Sequence, residues 1–281
     1  MNRDEVISEL NALKSKLRII PSKRYSNSLN YYAKKNFGSW NRALKAAGFK
    51  TKITQKAKLP DASPNLYYFL GLLYTDGHIV WQEEKRNYQI QMYTSYPEEL
   101  RLILKLFNTL FYYKPFVRRR KMGFNRKINY SIHMCSKEII AYLKEMYDVP
   151  IGPKAKRMLL PKLNSNDCFW PFLRGVIDGD GSISKNITLF SASKNFLLKI
   201  TQVLQVYGFN VGALYARKRK SITYSLSMYR QTDLKRLYDL IYKNAEFFYP
   251  RKRKSFETML KSFKNQDREI LQSRLSSYRS S

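Results

Sequence analysis

The chain reads as an α+β protein: two tandem αββαββα units related by a pseudo-twofold axis, preceded by a small helical module. Three observations lead there. A nine-residue pattern occurs twice, as FLGLLYTDG (Phe69 to Gly77) and LRGVIDGDG (Leu173 to Gly181), about one small domain apart. Each copy is followed by the same order of two alternating segments, a helix, two more alternating segments and a helix. The first fifty residues differ in character, carrying short helical patterns with polar caps.

Residues 1–50 divide into three helices. MNRDEVISELNALKSKL places Val6, Leu10, Leu13 and Leu17 on one face, SNSLNYYAKKNFG is the second, and SWNRALKAAGF has Ser39 as N-cap and Gly48 as C-cap. Residues 51–64 are rich in Lys, Pro and Ser without periodicity and read as a linker. The first unit covers 65–150: the motif helix, then HIVWQ, NYQIQMYTS, the helix PEELRLILKLFNTLF, PFVRRRKM, NYSIHMCS and the helix KEIIAYLKEMY. Residues 151–170 join it to the second unit at 171–250, which repeats the order as SISK, NITLFSASK, NFLLKITQVLQVYG, NVGALYARKRK, ITYSLSMYR and TDLKRLYDLIYKN. Residues 251–281 read as a basic C-terminal helix.

Both motif copies are apolar runs ending in Asp-Gly, the pattern of a helix with a glycine C-cap, so Asp76 and Asp180 are equivalent. A carboxylate in a last turn opposes the helix dipole by roughly 0.3 to 1 kcal/mol. A cation held between the two acids would reverse the local field and explain both. Gly71 with Thr75, and Gly175 with Gly179, are small residues four apart on one helical face. Helices packed along those faces approach closely and project both acids from one end of the pair. Two carboxylates so placed repel unless a divalent ion binds them, so the pattern predicts a two-metal or shared-metal site on the pseudo-twofold axis. With only His78, His133, Cys135 and Cys168 as nitrogen and sulfur ligands, a zinc finger or a histidine-rich metal site cannot be assembled. Oxygen ligands remain, which suits Mg²⁺, with Mn²⁺ or Ca²⁺ as substitutes.

Alternation assigns the strand faces. Ile90 and Met92 oppose Gln89, Gln91 and Tyr93; Ile128, Tyr130, Ile132 and Met134 oppose Asn129, Ser131 and His133. In the second unit Ile187 and Leu189 oppose Thr188 and Phe190, and Ile222, Tyr224, Leu226 and Met228 oppose Thr223, Ser225 and Ser227. One face packs on helices. The other presents the amides and hydroxyls that read base edges in a major groove, and His78, Ser182 and Ser184 follow the motifs on that side. Arg118, Arg119, Arg120 and Lys121, and Arg217, Lys218, Arg219 and Lys220, lie beside it. Arg119 and Lys218 fall on the opposite strand face and are expected to grip phosphate. Eight strands at ~4.8 Å span at least ~38 Å, roughly 11 base pairs.

The formal charge of +31 makes the compact state self-repulsive without a polyanionic partner, which points to nucleic acid. Residues 1–60 carry 14 Lys and Arg against 3 Asp and Glu, as phosphate-gripping arms do. No apolar run approaches ~18 residues, so no membrane partner is expected. The polar start MNRDEVISEL gives no secretion signal, and the two cysteines fit reduced thiols. Both point to an intracellular setting, a phage or bacterial cytoplasm or an organelle.

The two copies, above all FLRGVIDGDGSIS, resemble the signature of the LAGLIDADG homing endonucleases in their single-chain form. GSWNRALKAAGF, anchored by Gly38-Ser39-Trp40 and Ala46-Ala47-Gly48, resembles the homing-endonuclease-associated repeat. Copy one departs from the pattern with Tyr74 in place of the first acid and Thr75 before the second. The resemblance implies a monomer whose sheets form a saddle on double-stranded DNA. It implies that the last Asp of each copy binds metal, with the carbonyls of Thr75 and Gly179 as further ligands. It also implies a lysine behind each sheet near the cleaved phosphates: register favours Lys154 and Lys254, with Lys156 and Lys252 as the alternatives. Three activities share such a fold: a site-specific DNA endonuclease, an RNA maturase binding intron RNA, and a non-catalytic DNA-binding regulator. The retained acids count against the third, and between the first two only the N-terminal module and the groove-reading sheet faces tilt towards DNA.

Overall fold

The computed structural model describes residues 1–17, 20–49, 56–122, 127–218 and 222–263. Arg219, Lys220, residues 51–55 of the linker and the chain beyond 263 lie outside the described residues. The chain divides into two compact units, Met1–Gln55 and Lys56–Ser281.

In the first unit α1 (Arg3–Leu17), α2 (Asn27–Phe37) and α3 (Trp40–Ala46) bury Val6, Leu10, Leu29, Ala33, Ala43 and Leu44 under Trp40 and Phe49. Ser26 and Ser39 cap α2 and α3 by accepting from the backbone N–H groups of Leu29 and Arg42. Gly38 (φ 77°) ends α2 in the left-handed region that a side chain resists, and Gly48 (φ 78°) does so just past Ala47.

The second unit runs α4 (Pro64–Thr75), β1 (Gly77–Gln82), β2 (Asn87–Thr94), α5 (Pro97–Phe111), β3 (Phe116–Met122), β4 (Lys127–Cys135) and α6 (Lys137–Tyr147). It then repeats the order with α7 (Phe169–Asp180), β5 (Ser182–Ile183), β6 (Ile187–Ser191), α8 (Lys194–Val206), β7 (Tyr215–Lys218), β8 (Ile222–Met228) and α9 (Gln231–Tyr242). A last helix, α10, spans 250–263. Each half forms an antiparallel four-stranded sheet, β1-β2-β4-β3 and β5-β6-β8-β7. Ile90, Met92, Ile132 and Met134, and Ile187, Leu189, Leu226 and Met228, are buried as alternation requires.

Both halves share one continuous apolar core. Two expectations need correction. The later part of the presumed linker belongs to that core: Ala57 is buried, Lys58 N–H donates to Phe111 O at 2.9 Å, and Tyr142 donates to Pro60 O at 3.1 Å. In NVGALYARKRK the strand begins only at Tyr215, with Gly212 N–H making an isolated bond to Ser227 O, and the SISK strand is cut to two residues by a turn in which Ser184 N–H donates to Asn186 O.

Candidate active site and nucleic-acid interface

The site begins with the way α4 and α7 touch. A Cβ on Gly71 would lie 2.8 Å from the Gly175 Cα and 2.9 Å from the Val176 N, and one on Gly175 would lie 2.8 Å from both Gly71 Cα and Leu72 N. These are backbone atoms, which cannot swing aside, so any other residue forces the helices apart. Leu66 to Tyr74 and Phe169 to Asp178 are buried along the two helices, and Tyr74 packs edge-on against Phe172 at 5.5 Å.

The glycines ending the motifs have a different purpose from the one expected. Neither is a left-handed cap: Asp76 closes α4 in a right-handed conformation, and Gly181 is extended at φ −68°, ψ 140°. Space is what both require. A Cβ on Gly77 would lie 2.7 Å from Leu73 Cα and O, and one on Gly181 would lie 2.5 Å from Ile177 O, because each chain turns from helix straight into strand across its own last turn.

That close pair delivers Asp76 and Asp180 to one place. Loss of water around Asp76, then the charges of Asp180 and Glu99, push its carboxyl up to about 7 against the pull of Lys252 and Arg251. Asp180 is also raised, by desolvation, with Lys154 and Lys252 opposing. Gly179 leaves the room: a Cβ there would meet the Thr75 side chain and lie 3.3 Å from Asp76 Oδ2. Two converging carboxylates whose charged forms burial disfavours, beside a cradle any side chain would fill, are a donor set that fits a divalent cation. Among the described residues no group of three or more His, Cys, Asp or Glu could hold a metal. Remaining ligands would be the helix-end carbonyls of Thr75 and Gly179, which have no partner within their helices, together with water and substrate oxygens.

Two lysines reach this place. Lys154 donates to Leu73 O and is lowered to about 8 by burial, with Asp180 and Asp76 resisting. Lys252, not Lys254, is its counterpart: it donates to Gly181 O and feels Asp76 and Asp180. Successive helical residues turn about 100°, so with Lys252 facing the acids Lys254, two further on, faces away and is exposed. Lys156 is likewise exposed. His78 is half-buried near Lys154, and desolvation followed by that charge lowers it.

Several site residues escaped the sequence reading. Asp178, two before Asp180, is fully buried and accepts from Tyr242 OH (2.5 Å), Tyr68 OH (2.9 Å) and Tyr249 N–H (2.8 Å). Arg174 lies over the Tyr68 ring at 4.8 Å and donates to Ile241 O. Glu99, buried, accepts from Thr94 OH and from Arg251 Nε, both at 2.6 Å. The signal for Asp178 and Arg174 was a polar residue inside an apolar run; Glu99 gave none beyond an ordinary acidic first turn.

The outer sheet faces follow the register, since directly paired residues share a face. Gln91 lies between His78 and His133, Tyr93 opposite Ser131, Arg118 opposite Ser131 and Arg120 opposite Asn129. A chain of hydrogen bonds runs along β2: Tyr93 OH to Gln91 (2.6 Å), Gln91 to Gln89 (2.9 Å), Gln89 to Asn87 (2.7 Å). His133 is on this face but buried, stacked on Phe116 at 4.6 Å with its nitrogens against Gln89 and Ser131. It braces Gln89 and Ser131, and both its ring nitrogens are engaged by them. The second face carries Ser182 and Thr188, Ser227 at 2.8 Å from Thr188, Phe190 beside Ser225, and Arg217 beside Thr223. Tyr215, overlooked in the sequence, joins Phe190, Arg217, Thr223 and Ser225 around a cavity of about 320 Å³. Arg119 pairs with Tyr130 and Lys218 with Ile222 on the opposite faces, both exposed. Ser184 is exposed in its turn. No helix among the described residues is long and apolar enough to cross a membrane.

Residues 1–50 match the family profile of the homing endonuclease associated repeat, and residues 171–242 that of a LAGLIDADG-like domain. No curated protein matches the chain. Among solved structures, mesophilic variants of the homing endonuclease I-DmoI are similar at 14% identity and TM-score 0.50, over 65% of this chain and 97% of theirs. I-DmoI in complex with DNA and Ca is similar at 15% identity and TM-score 0.51, over 67% and 95%. At these identities the likeness is one of fold.

Proposed function

We propose that this chain, which carries a homing endonuclease associated repeat and a LAGLIDADG-like domain and shares the fold of the homing endonuclease I-DmoI, is a site-specific double-strand DNA endonuclease that uses divalent metal ions. One observation carries the reading. The Gly71–Gly175 contact brings an acid from each motif to one point, with one lysine from behind each sheet, beside two sheets whose outer faces carry amide, hydroxyl and aromatic side chains.

Hydrolysis of a phosphodiester needs an activated water, charge stabilisation on the phosphoryl oxygens and help for the leaving 3′ oxygen. Divalent ions supply the first and last when bound, and Asp76 and Asp180 would hold them with the carbonyls of Thr75 and Gly179. Lys154 and Lys252 stand where they can neutralise phosphoryl charge, and their partial burial strengthens that interaction. Gln89, Gln91, Ser131, Thr188 and Ser225 offer hydrogen bonds to base edges, while Arg118, Arg119, Arg120, Arg217 and Lys218 add phosphate contacts. Both acids come from one polypeptide, so a monomer suffices, acting in whichever cellular compartment holds its DNA target.

Asp76→Asn and Asp180→Asn should each reduce double-strand cleavage by about 100-fold or more, an increase of roughly 2.7 kcal/mol in the barrier. DNA binding should stay within about tenfold, because the acids serve the metals and not the groove contacts. Cleavage assays and gel-shift titrations in Mg²⁺ measure both, and normal cleavage by either variant would sink the assignment.

A further inference from the structure

The two site lysines are held in different ways. Lys154 follows a loop in which Gly152 N–H donates to Ile79 O at 3.0 Å. Lys252 lies at the start of α10, and the residues before it are gripped from both halves of the protein. Asp178 Oδ2, from α7, accepts the backbone N–H of Tyr249 at 2.8 Å. Glu99 Oε1, from α5, accepts Arg251 Nε at 2.6 Å, and Glu99 is itself held by Thr94. Between them stands Pro250, whose ring fixes φ. Both acids are almost wholly buried, at 0% and 2% exposure, so neither can touch DNA.

We propose that Asp178 and Glu99 are positioning residues that form a two-sided clamp on Tyr249 to Arg251 and thereby aim Lys252, and only Lys252, at the acid pair. The inference rests on the endonuclease reading for its catalytic consequence. The equivalent of Asp178 in the first motif is Tyr74, and the residue in the second half at the place of Glu99 is Phe196. These two pack against each other at 5.9 Å as plain core. One strand's chemistry therefore depends on the clamp and the other's does not.

Single-turnover cleavage of a duplex recovered from a randomised pool, with the strands carrying different end labels, resolves the two cuts. Asp178→Asn and Glu99→Gln should each slow the same strand by at least about tenfold and leave the other within about twofold. Lys252→Met should slow that strand too, and adding it to either variant should cost nothing further, since coupled residues are not additive. Acylation of Lys252, followed by mass spectrometry without DNA or metal, should be at least about threefold faster in both variants. Should Asp178→Asn fail to fold, Glu99→Gln decides. Equal slowing of both strands, additive losses or unchanged Lys252 acylation would overturn the clamp. If the unmodified chain cut neither strand, the endonuclease reading would fall, and the acylation rates would still decide whether the clamp exists.

Discussion

Asp76 and Asp180 occupy the same position in two copies of one pattern, yet they keep different company. Burial raises both carboxyls and each repels the other, but Asp76, pushed up to about 7, has Glu99 as a further like charge, with Lys252 and Arg251 opposing, whereas Asp180 has Lys154 and Lys252 opposing. Two residues earlier the contrast repeats, with Tyr74 against Phe172 and Phe196 in the first copy and Asp178 inside a cage of hydrogen bonds in the second. The backbone contact is symmetric and the chemistry beside it is not. A repeat within one chain sets where a side chain stands; what packs on it from α5 and α10 sets its charge state and its task.

The largest expected effect tests the symmetric part. Gly71→Ala and Gly175→Ala should each destabilise the second unit by about 3 kcal/mol, since each Cβ meets only backbone across the helix pair. Urea unfolding measures both, and costs differing by more than about 1 kcal/mol would break the idea of a shared frame.

The unequal acids give the next. A carboxyl whose folded value, about 7, exceeds its ordinary 3.8 favours folding fully below the unfolded value and loses that contribution as pH rises through 7. Ionised Asp76 therefore costs stability at pH 8. In metal-free protein Asp76→Asn should raise the unfolding free energy by about 2 kcal/mol at pH 8 and by almost nothing near pH 4. Asp180→Asn should gain less, because Asp180 lacks the added repulsion of Glu99 that Asp76 carries. Equal gains at pH 8 would erase the proposed inequality.

The sheets differ as well, the first presenting a hydrogen-bonded run of amides and the second an aromatic-lined hollow. Gln91→Ala should relax one base preference by about 1 to 3 kcal/mol, and Phe190→Ser should do so at a position in the other half-site. Arg119→Ala and Lys218→Ala should weaken all sequences alike. Selection from a randomised library reads each profile; a sequence-specific shift from Arg119→Ala would invert the assigned faces.

The smallest effect concerns the first unit. Removing residues 1–55 should leave the second unit folded, since each unit is compact by itself. It should also flatten the log-log salt dependence of binding by about 0.9 for each phosphate that the shortened protein no longer neutralises. An unchanged slope would make this unit structural.

Much of this protein is local enough to be legible in its residues. Helices and strands follow from periodicities of 3.6 and 2, and the glycine spacing implied the close helix pair because backbone approach demands small residues at fixed intervals. The acids were visible as a repeated violation of helix-dipole preference, a conflict that only a tertiary partner could resolve. What could not be read is whatever depends on the direction of one element relative to another. Lys252 and Lys254 are nearly alike as neighbours in YPRKRKSFE, and only the rotation of α10 turns the first toward the acids. Glu99 lies far from the motifs in sequence and reaches Arg251 through packing alone. His133 alternates like a reader, but Phe116 from the neighbouring strand covers it. Charge state and access depend on distances across the core, and those exist only once the chain has folded.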